Sequence, residues 1–416
     1  MEILSTGEKI KRARVYKGYT LKDICSDKLS VSKMSCIENG KIYPEDWVLD
    51  LISDKLGVTF NYLKQDVSEQ IIINLSLYKK NHGAFTDEEI LYNIKTSELH
   101  GEYPLAFAFA SLLFQSYLNS EKLSKAKDIL PLYYEIFQRG FSLKHQVIFL
   151  LNQGKFLILS KEYMQAIGYF NSILEINYIE DEYIYLVRAM YYITCAYMEL
   201  EEREKAYKTG IRLLEYMDGI KDDLIKGKIY KLLALISINS NINMFFDWEK
   251  KSEVLFKEDK LNIALSRLSY GKEFLKIGSK VQGISFLNSS KDVFPKANIR
   301  EYVEFIFEFV SYNIEYDLNI YLDEVLEESL NFAINLNDNT LVEKAYHFKA
   351  LLSQRNGDLS TAELFMNFSL DALLKVGNTN ELYKRYMEMG NMYYNFGNTV
   401  EAIKYLSLAL SLSKKL

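Results

Sequence analysis

The sequence predicts an all-α protein in which an N-terminal helix-turn-helix bundle is followed by a right-handed α-solenoid of the tetratricopeptide-repeat (TPR) type. Prolines and glycines are few, four and nineteen in 416 residues, which favours long helices over many short strands. Small residues recur at spacings near 40 over most of the chain, which is typical of stacked helix pairs. Because the chain is too long for one ordinary core, a stacked array suits it.

The first 65 residues, called the head below, contain the cap and stop signals of a small helical bundle. Gly18 ends the first predicted helix, and Thr20 caps the second with Asp23 three positions further on. The Asn39-Gly40 pair ends the third. The predicted helices cover residues 6–17, 21–25, 30–38, 45–56 and 59–63.

Charge is divided unevenly between the head and the rest of the chain. The whole sequence has a net charge of −6, but residues 1–41 contain nine Lys and Arg against five acids, a net +4. The remainder is therefore −10. A basic head on an acidic body is expected of a DNA reader that has a separate sensory domain.

The segment IENGK, residues 37–41, followed by Tyr43-Pro44, resembles the Xre/Cro-type helix-turn-helix superfamily. The resemblance implies that the third helix enters the major groove of double-stranded DNA. An alternative is a helical bundle that has lost DNA binding and serves only for docking. By position, the candidates for contact with base edges are Ser30, Val31, Ser32, Lys33 and Ser35. The candidates for contact with phosphates are Lys9, Arg12, Arg14 and Lys41.

Residues 66–100 are predicted to form linker helices between the head and the array. One is an amphipathic helix that begins near Val67, and a second runs from Ala84 to Leu99. The first helix is either the seam of a homodimer, since a helix-turn-helix usually reads two half-sites, or it packs on the first repeat. Its apolar positions are Val67, Ile71, Ile72, Leu75 and Tyr78.

Residues 101–416 are predicted to be TPR-like repeats. In such repeats small residues lie where two helices cross closely, and large residues fill the space behind them. Small residues recur along this region about 40 positions apart, but two of the intervals between them are about twice as long. Each long interval predicts one degenerate repeat, centred near residues 246 and 323. The array would then contain about eight helix pairs. The small residues are Ala126, Ala166, Ala206, Gly283, Ala362 and Ala402.

The first helix of each pair lines the concave groove of such an array. The register places amide, cationic and aromatic side chains there, which suit the backbone, carboxylate and apolar groups of an extended peptide. Ordinary solvated helix faces are the alternative. The candidate peptide-binding residues are Gln115, Asn152, Lys155, Arg188, Tyr191, Lys228, Lys231, Lys272, Tyr312, Asn313, His347, Asn391 and Tyr394.

The absence of characteristic sequence motifs excludes several classes of protein. No apolar segment follows the basic N-terminus and none is long enough to span a bilayer, so we expect a cytoplasmic protein without a membrane partner. Cys25, Cys36 and Cys195 are odd in number and have no CxxC spacing, so neither disulfides nor a metal site is expected. The chain has no glycine-rich phosphate loop and no triad pattern, so we expect no cofactor and no enzymatic activity.

A helix-turn-helix joined to a degenerate array of helix pairs resembles the RRNPP family of peptide-sensing regulators (Rap, Rgg, NprR, PlcR and PrgX). The resemblance covers the whole chain in architecture and is motif-specific over residues 6–64. It implies an intracellular quorum-sensing receptor of a Gram-positive organism that acts on sporulation or toxin genes. In it, a short signalling peptide changes the arrangement of the array and so alters promoter binding.

Two alternatives of another class remain open. Some members of that family bind a response regulator and remove its phosphate or block its DNA contacts. Such a role would use the linker helices and early repeats, with Gln115 or a nearby amide orienting a water molecule. A scaffold that binds protein tails in its groove, with a head used only for docking, is the other alternative.

Overall fold

The structure, a computed structural model, describes residues 2–80, 85–176, 183–318, 322–377 and 379–413. Within these ranges the regular structure is helical, apart from one isolated backbone bridge between Ser26 and Leu29. The predicted all-α fold is therefore confirmed. The chain divides into two compact units, unit 1 over Met1–Thr209 and unit 2 over Gly210–Leu416.

The head of unit 1 consists of five helices, whose bounds follow the predicted ones closely. They are α1 (Thr6–Tyr16), α2 (Leu21–Ile24), α3 (Val31–Glu38), α4 (Asp46–Leu56) and α5 (Phe60–Lys64). Helix α1 packs closely on α3, because a Cβ added at Gly7 would lie 2.3 Å from the carbonyl oxygen of Ile37. The capping box of Thr20 and Asp23 is present as predicted. The core consists of Ile10, Ile24, Leu29, Met34, Ile37, Val48, Leu49, Ile52, Leu56 and Leu63.

The linker helices α6 (Val67–Lys80) and α7 (Asp87–Leu99) pack as a hairpin on α8 (Tyr103–Asn119). The predicted start of the second linker helix, Ala84, lies outside the described residues. Of the apolar residues predicted on α6, Ile71, Leu75 and Tyr78 are buried against α7 and α8, whereas Ile72 is half exposed. The hairpin is therefore packed as the first layer of the array, and one apolar position of α6 stays on the surface.

The repeats of unit 1 continue as α9 (Leu123–Arg139), α10 (Leu143–Leu159), α11 (Tyr163–Glu175), α12 (Tyr183–Glu199) and α13 (Arg203–Arg212). The first helices of neighbouring pairs touch, α6 with α8, α8 with α10 and α10 with α12. A Cβ at Gly154 would lie 2.4 Å from the ring of Phe170, so only glycine allows this approach of α10 and α11.

Unit 2 contains the remaining pairs, after a 3-10 helix over Leu213–Gly219. They are α14 (Asp223–Ser237), α15 (Ile242–Phe256), α16 (Lys260–Lys276), α17 (Lys280–Val293), α18 (Ile299–Glu315), α19 (Asp323–Asn335), α20 (Asn339–Arg355), α21 (Leu359–Val376), α22 (Thr379–Asn395) and α23 (Thr399–Ser413). The predicted number of about eight pairs and the two degenerate repeats are confirmed in the described ranges, the latter as α14 with α15 and α18 with α19.

The degenerate repeats keep the packing position but not the small residue. Each predicted marker is the fourth residue of its helix, as Ala166 is in α11. In α15 and α19 that position is taken by Phe245 and Leu326, both fully buried. Phe245 packs edge-on against Phe274, with ring centroids 5.1 Å apart. A large buried side chain therefore occupies the marker position in these repeats, while α14 and α15 still approach closely at Gly227, where an added Cβ would lie 2.6 Å from the Phe256 ring.

Candidate functional sites

The first turn of α3 is exposed, as the resemblance to helix-turn-helix domains requires. Ser30 is its N-cap and accepts a hydrogen bond from the backbone N–H of Lys33. Val31 and Ser32 are exposed, and Ser35 is half-buried further along the same helix. The side chains predicted to reach base edges therefore lie together at one end of one helix.

Lys33 is held in place by neighbours that the sequence did not indicate. Its Nζ donates to Glu45 Oε1 at 3.0 Å and lies 5.6 Å from the ring centroid of Trp47. The indole N–H of Trp47 donates to the other oxygen of Glu45 at 2.9 Å. Hydrogen bonds from Lys33 and Trp47 lower the pKa of Glu45. The ammonium group of Lys33 is thus held in a fixed position near the N-terminal end of α3.

Lys9 is not a phosphate contact, and that prediction is wrong. The side chain is 1% exposed, and its Nζ donates to the carbonyl oxygens of Tyr62 and Gln65 at 2.7 and 2.8 Å. Burial lowers the pKa of Lys9. Two of its three ammonium donors serve carbonyls at the C-terminal end of α5, where backbone carbonyls lack helical partners.

Arg14 is also engaged inside the head, which corrects its assignment to phosphate. Its guanidinium makes a bidentate pair with Glu38 at 2.7 and 2.8 Å and donates to the Tyr19 carbonyl at 2.8 Å. This largely buried pair joins α1 to α3, and the hydrogen bonds that Arg14 donates to Glu38 raise the pKa of Arg14. Arg12 is exposed and pairs with Glu2, and Lys41 is exposed. Further exposed cations of the head are Lys11, Lys17, Lys22 and Lys28.

A concave pocket of about 360 Å³ lies on the first helices of unit 1, and it contains two of the predicted groove residues, Gln115 and Arg188. Its other cations, Lys79 and Lys144, were not predicted. None of the described residues that line it is Asp or Glu. Its remaining polar side chains are Ser111, His145 and Tyr185, and its apolar side chains are Phe107, Ala108, Leu112, Ile148 and Leu151. We call this site the unit 1 pocket.

A buried network fixes Gln115 at the wall of the unit 1 pocket. Its Nε2 donates to Asn152 Oδ1 at 3.1 Å. Asn152 Nδ2 donates in turn to Ser111 Oγ at 3.1 Å and to the Tyr133 hydroxyl at 2.9 Å. Burial raises the pKa of Tyr133. Asn152 is 1% exposed, so it supports the groove from behind and does not face it, contrary to the prediction.

His145 is held at the opposite side of the pocket by Phe107 and by the backbone. The two rings stack with centroids 4.2 Å apart, and His145 Nδ1 lies 2.6 Å from the Gly140 carbonyl oxygen. A carbonyl oxygen can only accept a hydrogen bond, so Nδ1 carries the proton and donates to it. The other ring nitrogen, Nε2, takes no part in this hydrogen bond.

Lys155 and Tyr191 are half-buried and do not belong to the lining of the pocket. The ammonium of Lys155 lies 5.7 Å from the ring centroid of Tyr192, which packs edge-on against Tyr191. Burial raises the pKa of Tyr192 to about 12.

Three of the candidate groove residues of unit 2, Lys272, Tyr312 and His347, are engaged with one another or with acids. Lys272 lies 5.1 Å from the ring centroid of Tyr312, whose hydroxyl donates to Glu308 at 2.6 Å. Asn313 is fully buried and donates to the Phe309 carbonyl within its own helix at 2.7 Å, so its assignment to the groove is wrong. Lys231 is half-buried. The exposed candidates of unit 2 are Lys228, Asn391 and Tyr394.

His347 belongs to a charged cluster between α20, α21 and α22. Its Nε2 lies 3.0 Å from Glu388, which also pairs with Arg385. Arg385 and Glu343 form a buried pair at 2.5 Å, and Glu343 also accepts from Ser369 at 2.9 Å. Burial, which would raise the pKa of Glu388, is outweighed by His347 and Arg385, so that pKa is lowered.

Neither a metal-binding cluster nor a membrane-spanning helix is present in the described ranges. No group of three or more His, Cys, Asp or Glu side chains there could hold a metal ion. None of the described helices is both long enough and apolar enough to cross a membrane.

Solved structures to which the chain is similar include the apo form of the quorum sensor NprR from B. thuringiensis. The identity is 16% over 84% of this chain and 100% of that chain, with a TM-score of 0.44. A Rap protein complexed with competence and sporulation factor gives 14% identity over 84% and 98%, with a TM-score of 0.48. Bacillus thuringiensis PlcR in complex with the peptide PapR7 and DNA gives 18% over 63% and 96%, with a TM-score of 0.31.

These neighbours are members of the family that the sequence resembles. No protein-family model matches the chain. No curated protein matches it either.

Proposed function

We propose that this protein is a cytoplasmic transcriptional regulator that binds promoter DNA through its head and is controlled by a short signalling peptide bound in its groove. The observation that carries the proposal is the unit 1 pocket, which combines three cations, a fixed amide and apolar walls without a carboxylate. Such a lining complements an extended peptide that carries an acidic side chain or a free C-terminus.

The pocket offers each part of such a peptide a partner. The Nε2 of Gln115 is used by Asn152, which leaves its carbonyl oxygen to accept a backbone N–H of the ligand. Arg188 is suited to a bidentate pair with a carboxylate. Leu112, Ile148 and the stacked rings of Phe107 and His145 would contact apolar side chains.

DNA binding is proposed for the exposed first turn of α3. Ser30, Ser32 and Lys33 would reach base edges, while Lys41 and Arg12 would contact phosphates. Because Arg12 pairs with Glu2 on the surface, an exchange of that carboxylate for a phosphate carries a small penalty. Sequence specificity would then depend on two short side chains and one lysine.

The switch would be a shift between two arrangements of the protein. A peptide changes DNA affinity only to the extent that it binds one arrangement more tightly than the other. A homodimer is proposed as the binding species, because one head presents one α3 and a two-fold site needs two. The half-exposed Ile72 and Ile73 of α6, next to Tyr43, would form its seam.

The experiment measures fluorescence anisotropy of DNA from upstream of the gene and its neighbours, in a salt series, with and without peptides encoded nearby. Site-selective binding that weakens with salt and changes with one peptide is the expected result. Lys41→Ala should reduce the salt slope by about 0.9, as for one lost phosphate contact. Lys127→Ala on α9, which removes an exposed lysine outside the head, is the control. Binding that is absent or insensitive to salt would contradict the proposal.

A second candidate is favoured by the fixed amide of Gln115. An amide oriented by Asn152 in an open pocket could position a water molecule for attack on the phosphorylated aspartate of a response regulator. The test is the rate at which the protein accelerates loss of phosphate from candidate regulators, compared with Gln115→Ala. If candidate regulators lose phosphate at the same rate with and without the protein, this function is excluded.

A further inference from the structure

Two residues shortly before α1, Ile3 and Leu4, are attached to the first hairpin of the array. Ile3 is 7% exposed and is part of the apolar cluster that α6, α7 and α8 form, with Ile71 and Ile94 among its members. The core of the head does not include it. The chain segment of residues 2–5, called the arm, therefore reaches from the head onto the first hairpin of the array.

Two side chains of that hairpin satisfy all four backbone groups of Ile3 and Leu4. Gln70 on α6 accepts from the N–H of Leu4 at 3.1 Å and donates to its carbonyl at 2.9 Å. The hydroxyl of Tyr92 on α7 accepts from the N–H of Ile3 at 3.2 Å and donates to its carbonyl at 3.3 Å. Because a partly buried backbone needs such partners, these contacts define one position for the arm.

A second attachment is made by Lys9 of α1. The buried ammonium of Lys9 bridges the Tyr62 carbonyl at the end of α5 and the Gln65 carbonyl just before α6 begins. Without the arm, this junction would be the main connection on which the head could turn. With both attachments in place, α1 is held at two separated points.

We propose that the arm is a tether that fixes the orientation of the head on α6 and α7, with Gln70 and Tyr92 as positioning residues for α3. The role of α3 rests on the proposed DNA binding. In a dimer, two heads of fixed orientation present their α3 helices at one spacing, so they discriminate between DNA sites by the distance between half-sites. The affinity of one head for one half-site does not depend on the tether.

The test uses the full chain with Gln70→Ala and Tyr92→Phe combined, which removes all four hydrogen bonds and leaves the head sequence unchanged. Tyr169→Phe on α11, an exposed tyrosine in the same unit, is the matched control. The first readout is hydrogen exchange of the Ile3 and Leu4 amides. It should accelerate on the order of tenfold for each lost bond, while exchange in α3 and α4 stays the same.

The second readout is the ratio of affinities for a complete operator and for a single half-site. In the double variant the affinity for the complete site should fall about tenfold, and operators with altered spacing should be bound almost equally well, while half-site affinity is unchanged. Gln70→Glu sharpens this test, since a carboxylate can accept from the Leu4 N–H but repels its carbonyl. Because the Leu4 N–H keeps an acceptor in Gln70→Glu, exchange at Leu4 should accelerate less than in Gln70→Ala.

Unchanged exchange at Ile3 and Leu4 would overturn the tether. An equal loss of half-site and complete-site binding would overturn the positioning role, because it would indicate a damaged head. If the unaltered protein binds no DNA, the proposed function fails. Faster exchange in the double variant would in that case still establish the tether itself.

Discussion

Both units consist of TPR-like helix pairs, but the charged side chains on the first helices of these pairs have different surroundings in the two units. In unit 1, Lys79, Lys144 and Arg188 surround a pocket in which no described acid takes part. In unit 2, Arg385 and Glu343 are buried against each other, and His347 is paired with Glu388. Cations that line an open pocket in unit 1 thus contrast with cations that are paired with acids in α20 and α22 of unit 2, and equal repeats need not provide equal binding surfaces.

The largest effect is expected where unit 2 buries its ion pair. Glu343→Gln should lower the free energy of unfolding by about 3–5 kcal/mol, because it leaves Arg385 buried without a full countercharge. Urea unfolding followed by circular dichroism measures this. Replacing both partners, as Glu343→Leu with Arg385→Met, should restore most of the loss. A double variant as unstable as the single one would show that the packing, and not the charge, had been damaged.

The unit 1 pocket should respond in the opposite way. Arg188→Ala should leave stability nearly unchanged, since the side chain is exposed, but weaken binding of an acidic peptide about tenfold to a hundredfold. Isothermal titration with the peptide identified in the DNA experiment measures this, and Arg188→Lys should recover part of the affinity. Lys127→Ala is the matched control. Equal losses for both variants would indicate a general effect of net charge.

The hairpin turns also differ between the units. Two residues before the second helix, unit 1 has Glu121, Lys161 and Glu201 in the left-handed region, with φ of 53°, 62° and 59°. Unit 2 has Gly278, Gly357 and Gly397 at the equivalent positions, with φ of 82°, 77° and 80°. This conformation is unfavourable for residues with a Cβ by roughly 1–2 kcal/mol.

Exchange of the turn residues should therefore change stability in opposite directions. Lys161→Gly is expected to raise the free energy of unfolding by about 1 kcal/mol, and Gly357→Ala to lower it by a similar amount. Thermal and urea unfolding measure both. Lys161→Ala separates the backbone effect from loss of the side chain, because it retains the Cβ. A gain from Lys161→Ala as large as that from glycine would contradict the explanation.

The smallest effect is expected for an exposed pair of unit 1. Lys125 donates to Asp87 at 2.7 Å and lowers the pKa of that carboxyl, but both side chains are largely solvated. Asp87→Asn should change stability by less than about 0.5 kcal/mol. Because the pKa is lowered on folding, the contribution is present above the unfolded value of about 3.9 and disappears as the pH falls below it. The difference in the free energy of unfolding between the two proteins should thus be smaller at pH 3 than at pH 7.

The sequence predicted the elements whose signals are local. The capping box of Thr20 and Asp23 needs only neighbours three positions apart, and the small markers such as Ala166 repeat at a fixed spacing. Lys9 could not be placed, because its two carbonyl partners are 53 and 56 residues away along the chain. A lysine in a basic helix therefore looked like a surface cation.

The pocket was predicted only in part for a related reason. Gln115 and Arg188 follow from the repeat register, but the register was applied from residue 101 onwards. Lys79 lies on α6, which the sequence predicts as a linker helix ahead of the repeats. Lys144 lies at the beginning of α10, whereas the register predicts lining residues only in the central turns of each first helix. Asn152 was assigned to the groove because one step of helical rotation separates a lining residue from a buried one.

The network behind the unit 1 pocket has a consequence for how this chain can diverge. Ser111, Gln115, Tyr133 and Asn152 come from three different helices, yet each satisfies a polar atom of another. Replacing any one of them leaves a buried donor or acceptor without a hydrogen-bond partner, which lowers the stability of the protein. Single replacements are therefore disfavoured, whereas joint replacements are tolerated. Among descendants of this gene, the four positions should be inherited or exchanged as a set, and a new ligand preference would arise by substitution of that whole set.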